Sequence, residues 1–140
     1  MPIEIGIDPA ARKRRSDDAI NAERDRRIAL RFVFAGRPFD FDEVSKANIA
    51  GAATLAGFAI AQGAVPGDLS WNGGAEGFSW LAGDNSRVPM DAPTAFAFGQ
   101  AAAEHVRAHV FAARALKDAA TPPDDWADDW ADDRHWPGVA

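Results

Sequence analysis

The residues best able to do chemistry are few and scattered along the chain. His105 and His109 stand four apart, a spacing that sets two imidazoles on one helix face and lets them share a metal ion. No third ligand completes the set: Glu104 adjoins the pair and His135 is remote in sequence. The pair reads better as the polar flank of an amphipathic helix, so no metal site is expected. Asp40, Asp42 and Glu43 are close enough for acid–base work between carboxylates. They directly precede an apolar run, however, where capping of a helix explains them better. Asp84-Asn85-Ser86 lacks the acidic run and terminal Glu of a calcium loop and reads as a turn. Gly73, Gly74 and Gly77 follow no strand in the manner of a phosphate-cradling loop. No Ser, His and Asp arrangement is indicated. The absence of cysteine rules out disulfides, thiolate metal sites and a thiol nucleophile. The sequence therefore predicts no catalytic residue, no cofactor and no enzyme activity.

Composition bounds the object that carries these residues. A chain of 140 residues is long enough for one domain with an appended segment. Its 47% apolar content leans on alanine, which buries little area per residue. A thin core of this kind favours self-association, and a homo-oligomer is expected. The net charge of −6 is uneven. Six Asp and one Arg give the last twenty residues a charge of −5, whereas eight basic and four acidic residues give Arg12 to Arg31 a local +4. The RKRR run at residues 12–15 is followed closely by acidic residues, and no aromatic interleaving accompanies it. A solvated helix face outweighs nucleic-acid binding there. No hydrophobic run is expected to reach the ~20 residues that span a bilayer, and no membrane partner is expected.

The elements follow in order. Residues 1–10 alternate Ile3, Ile5 and Ile7 with polar or small residues, the pattern of an extended arm able to add a strand to a neighbour's sheet. Asp8-Pro9 opens a helix that is charged nearly all round as far as Arg27, with Ile20 and Ile28 as its strong apolar points. Ile28 to Phe34 alternates as a strand, Ala35 to Pro38 turns, and Phe39 and Phe41 return. Asp42 caps a helix carrying Val44, Ala47, Ile49, Leu55, Phe58 and Ile60, which ends at Gln62-Gly63. A glycine-rich loop anchored by Trp71 leads to strands at Phe78–Leu81 and Arg87–Met90. Asp91 repeats the part of Asp42, which aligns Thr94 with Ser45. The last helix runs from Ala92 to about Ala120, with Phe96, Ala103, Val106, Val110, Ala113 and Leu116 on its expected core stripe. The predicted fold is α+β: a charged N-terminal helix, then two β-hairpin–helix units forming a small sheet packed on helices, with extended terminal arms. The domain occupies residues 11–120, and residues 121–140 form an acidic tail.

That tail, DDWADDWADDRHW, repeats Asp-Asp-Trp-Ala at a period of four. Two readings stand side by side. It folds onto a basic, apolar groove of a partner, or it folds back onto the chain's own Arg12–Arg27 helix. The candidate partner-binding residues are Ile3, Ile5 and Ile7 in the arm and Trp126, Trp130 and Trp136 in the tail.

Several pieces of the chain are specific in combination: Phe34-Ala35-Gly36-Arg37-Pro38-Phe39-Asp40, Ser45, Trp80, Asp84-Asn85 and Val88-Pro89-Met90. With the charged first helix and the long last one, they resemble a domain family of unknown function that recurs in bacteriophage and prophage tail and tail-fibre regions. The resemblance covers about Arg14 to Ala120 and leaves out the first ten residues and the tail. It carries no established activity and no catalytic residues. It implies a virion component assembled in the host cytoplasm, such as a baseplate, fibre-attachment or distal-tail protein, with other tail proteins as partners. An assembly chaperone for a tail fibre, absent from the mature particle, is the alternative.

Overall fold

The computed structural model describes residues 8–119 and 129–138. Helix α1 spans Pro9–Leu30, hairpin strands β1 and β2 span Phe32–Phe34 and Arg37–Phe39, and helix α2 spans Glu43–Ala61. Strands β3 and β4 span Ser79–Leu81 and Arg87–Pro89, and helix α3 spans Ala92–Ala119. Two short 3₁₀ turns follow at Asp129–Ala131 and Asp133–His135. The predicted α+β architecture, one charged helix and then hairpin–helix twice, is what the chain adopts. The chain falls into two compact units, one of residues 28–106 and one of residues 1–27 with 107–140.

In the unit of residues 28–106, the first hairpin turns on Ala35 and Gly36, with φ of 52° and 77°. Two successive positive φ values make the tight turn whose twist matches that of the flanking strands. The second hairpin turns through Asp84-Asn85, with Asn85 at φ 66°. Asp84 accepts from the Ser86 backbone N–H at 3.0 Å and from its hydroxyl at 2.5 Å. Each hairpin is its own two-stranded antiparallel sheet, not part of one small sheet as expected. Pro38 explains the difference. It pairs with Val33 between the flanking Phe34–Arg37 and Phe32–Phe39 pairs, so its backbone groups face the outer edge. It has no N–H to offer a further strand. Its carbonyl alone is used, accepting from the Gly83 N–H at 2.8 Å.

Hairpins of three-residue strands are marginal by themselves, and packing holds them. Phe98 on α3 touches Phe34 at 5.1 Å, Phe39 at 4.8 Å, Phe32 at 5.6 Å and Trp80 at 5.7 Å between ring centroids. Both hairpins thus rest on one side chain. Helix α2 reaches α3 where Gly99 lies against Ala53, so close that a Cβ on Gly99 would overlap the Ala53 Cβ. The expected caps are in place: the Asp42 carboxylate accepts from Ser45 N–H at 2.7 Å and Asp91 from Thr94 N–H at 2.8 Å. Asp91 also accepts from Gly67 N–H at 2.8 Å, which ties the glycine-rich loop to the start of α3. Trp71 anchors that loop as expected, donating its indole N–H to the Met90 carbonyl at 3.0 Å.

Three sequence expectations need correction here. First, Ile28 to Leu30 belong to α1 and not to a strand. Ala29 and Leu30 favour helix, and a buried Ile28 continues the inward face of α1. Second, α3 buries Ala113 and Leu116 of the predicted stripe but leaves Phe96 and Val110 exposed, and Phe98 and Ala102 are buried in their place. Small residues such as Ala95 and Ala102 allow close packing and lie on the buried side. Third, of the apolar residues on α2 only Ile49 and Ala56 are buried.

Hydrogen bonds to the carboxylates hold Asp91, Asp42 and Asp84 below the usual Asp range. The Thr94 hydroxyl and then the Gly67 N–H act on Asp91, the Ser45 backbone N–H and then its hydroxyl on Asp42, and the Ser86 hydroxyl and then its N–H on Asp84. Because the folded values lie below the unfolded ones, this stabilisation is complete above the unfolded value near pH 4 and is lost as pH falls through the folded values. Asp91→Ala is expected to cost about 1 kcal/mol in urea denaturation at neutral pH, as loss of a helix cap does. The same variant is expected to lose less stability than the wild type between pH 5 and pH 3.

Candidate interaction surface

The tail residues proposed from sequence are placed unevenly. Ile3, Ile5, Ile7 and Trp126 lie outside the described residues. Trp136 is buried and Trp130 half-buried, both within the unit of residues 1–27 and 107–140. The described part of the tail follows the second of the two sequence readings and packs on its own Arg-rich helix. Arg27 organises this. Its guanidinium donates to Glu23 at 2.8 Å, to the Ala131 carbonyl at 2.8 Å and to Asp133 at 2.7 Å, and it lies 5.4 Å from the Trp136 ring centre. Trp136 donates its indole N–H to the Trp130 carbonyl at 2.8 Å and stacks on His109 with a 24° interplanar angle. Ile20, Ala113 and Leu116 complete the small core beneath it. Lys13 reaches the Lys117 carbonyl at 2.9 Å, and Lys117 reaches Asn21 at 2.8 Å. Hydrogen bonds from Arg26 first, and also from Arg27, lower Glu23 below its usual value against the opposing effect of burial.

His109 is a core residue and not part of the polar flank that the spacing suggested, whereas His105 is half-buried. His105 Nε2 lies 3.0 Å from the Ile28 carbonyl, and its ring packs on Phe32 and edge-on against Phe41. His109 is 4% exposed. Among the described residues no group of three His, Asp or Glu side chains is placed to hold a metal ion. Asp42, Asp84 and Asp91 are occupied in capping and turn-making, as described above.

A cavity of about 310 Å³ opens between α2 and α3, lined by Phe41, Lys46, Ala50, Gly99, Ala102, Ala103 and Val106. Its one ionisable lining residue, Lys46, pairs with Glu43 at 2.9 Å. Such a wall can seat an apolar group.

The feature that sequence reasoning missed is the outer face of α2. Val44 is 69% exposed, Leu55 63% and Phe58 64%. The run from Ala47 to Gly67 carries no charged residue. By length and composition alone, α2 is long and apolar enough to cross a membrane, with 11% of its most apolar stretch buried, contrary to the expectation from sequence that no run approaches that length. The signal was present in the sequence: α2 is apolar on every side, and a helix that is apolar all round requires cover on every side.

A family match now places the chain. The profile of a domain of unknown function, DUF4376, matches residues 10–133. The chain belongs to the DUF4376 family. The match reaches further than the resemblance drawn from motifs, since it takes in most of the Asp-Asp-Trp-Ala tail and the start of α1. The match ends at Asp133, the residue that pairs with Arg27. No curated protein and no solved structure matches the chain.

Trp136→Ala is expected to cost about 3–5 kcal/mol, the range for removing a large buried aromatic. Urea denaturation followed by helical circular dichroism measures it. A cost under about 1 kcal/mol would show that the tail contributes little to this core.

Proposed function

We propose that this chain is a non-enzymatic structural component of a bacteriophage tail, in a baseplate, fibre-attachment or distal-tail position, and that it acts through protein–protein contacts. The observation that carries the contact part of this reading is the outer face of α2. Val44, Leu55 and Phe58 stand in solvent on a helix with no charge after Lys46. Contiguous apolar surface of this kind marks an interaction site in a folded protein. The tail context is supported by the sequence resemblance, through the Phe34–Asp40 hairpin, Trp80, Asp84-Asn85 and Val88–Met90. On this reading the partners are other tail proteins and further copies of the chain, and the place of action is the virion after assembly in the host cytoplasm.

The capped hairpins suit such a part. They fix the frame of the unit of residues 28–106 with backbone turns and carboxylate caps, which leaves α2 free to present side chains. The same apolar face also suits a tail-fibre assembly chaperone, which would cover an adhesive surface and then leave. Mass spectrometry of purified virions and of infected-cell lysate separates the two. The structural reading predicts the chain in both fractions. Presence in lysate with absence from particles would transfer the assignment to the chaperone, and absence from both would overturn the phage reading.

A further inference from the structure

We infer that residues 129–138 are an exchangeable occupant of the socket around Arg27. In the free chain the segment docks on its own helix α1, and when copies are held together the socket takes the same segment of a second copy. The inference goes beyond the contact proposed for α2, because it concerns the other unit and a different surface.

The segment is built as a unit that can leave. Among the described residues its backbone–backbone hydrogen bonds stay inside it. The His135 N–H donates to the Asp132 carbonyl at 3.1 Å, and the Trp136 backbone N–H to the Asp133 carbonyl at 3.0 Å. The Asp132 side chain accepts from the Arg134 N–H at 3.0 Å. Trp136 satisfies its indole N–H within the segment too, on the Trp130 carbonyl at 2.8 Å. What holds the segment to α1 and α3 is side-chain contact. Arg27 grips the Ala131 carbonyl and Asp133, Trp136 stacks on His109, and Trp136 and Trp130 pack with Ile20, Ala113 and Leu116. The Arg27–Asp133 pair lies at the rim, with the Asp133 side chain 65% exposed. A short, locally folded segment anchored by side chains in a groove binds as a peptide ligand does.

The socket has defined needs. One guanidinium nitrogen, Nη2, takes both a carbonyl and a carboxylate, the guanidinium face takes an indole 5.4 Å away, and the floor is apolar. Charge-assisted bonds and cation–π contacts both strengthen when water is excluded. An acidic segment without the tryptophan leaves the floor uncovered, and a tryptophan without the carboxylate leaves Nη2 unmatched. A second copy of the chain carries the full combination, Asp133 and Trp136 three residues apart. Charge adds to the match, since the local +4 of Arg12 to Arg31 faces a tail of −5 in trans as it does in cis.

Docking in cis and in trans makes the same contacts, so only the linkage decides between them. Nine residues, 120–128, join the end of α3 to the segment. A segment tethered so closely competes at an effective concentration on the order of millimolar. The free chain therefore keeps its own segment, which adds no association in dilute solution. Copies packed side by side meet one another at comparable concentrations, and exchange becomes favourable there.

The test adds a fluorescently labelled peptide of residues 129–138 to full-length chains and follows its anisotropy. Trp136→Ala, whose own segment docks poorly, is expected to bind the peptide at least about tenfold more tightly than the wild type. Asp133→Ala, altered at an exposed carboxylate, is expected to fall between the two, and it keeps the test decisive if loss of Trp136 unfolds the small core. Bound peptide is also expected to raise the melting temperature of Trp136→Ala. Adding Arg27→Ala to either chain, or Trp136→Ala to the peptide, is expected to abolish binding. Equal affinity for the wild type and both variants, binding that survives Arg27→Ala, or no binding to either variant would overturn the exchange. Finding the chain in purified virions despite such a result would leave the tail-component reading standing and remove only the exchange.

Discussion

Phe98 is the contact on which the unit of residues 28–106 depends. Two hairpins of three-residue strands have no stability of their own, and they share no ladder because Pro38 withholds a donor at the outer edge. Aromatic packing replaces the missing ladder. Phe34 and Phe39 from the first hairpin and Trp80 from the second converge on the one ring. The hairpin–helix repeat is then easy to understand. Each hairpin delivers an aromatic to α3 and passes directly into a helix whose first turn is capped by Asp42 or Asp91.

The same economy explains why α2 is left half covered. Its inner side is used up by Ile49, Ala56 and the Ala53–Gly99 approach. Nothing in the described residues of that unit lies over Val44, Leu55 or Phe58. Their exposure on a helix with no charge after Lys46 is what the proposed contact function rests on.

The unit of residues 1–27 and 107–140 is organised differently. Its central group is a cation. Arg27 is buried, and a buried charge is tolerable only when its donors are satisfied. Glu23, Asp133 and the Ala131 carbonyl do this, and Trp136 covers the guanidinium face. The acidic tail is thus explained in part by the basic helix of the same chain, and the family match through residue 133 agrees with that dependence.

Much of this was legible in the sequence, and the failures have physical causes. The turns, both Asp caps and the ends of α2 were readable because each rests on local chemistry: glycine and asparagine at positive φ, and a carboxylate three residues before an N–H. The tail's return to Arg27 was readable as one of two options from charge alone. Faces were harder. In α2 and α3 small residues alternate with large ones, and close helix packing prefers the small, so Ala102 is buried and Ala53 meets Gly99 while Phe96 and Phe58 stay exposed. His105 and His109 are polar by type, yet His109 is buried against Trp136 and the half-buried His105 lies against the Ile28 carbonyl and Phe32. Sedimentation equilibrium of the wild-type chain beside Phe58→Lys tests the central claim, that the outer face of α2 is a contact surface, most directly. The account predicts a wild-type mass that rises above 15.0 kDa with concentration and a variant that stays at 15.0 kDa with unchanged helical content. A wild type that remains at 15.0 kDa at every concentration, or a variant that associates equally, would contradict it.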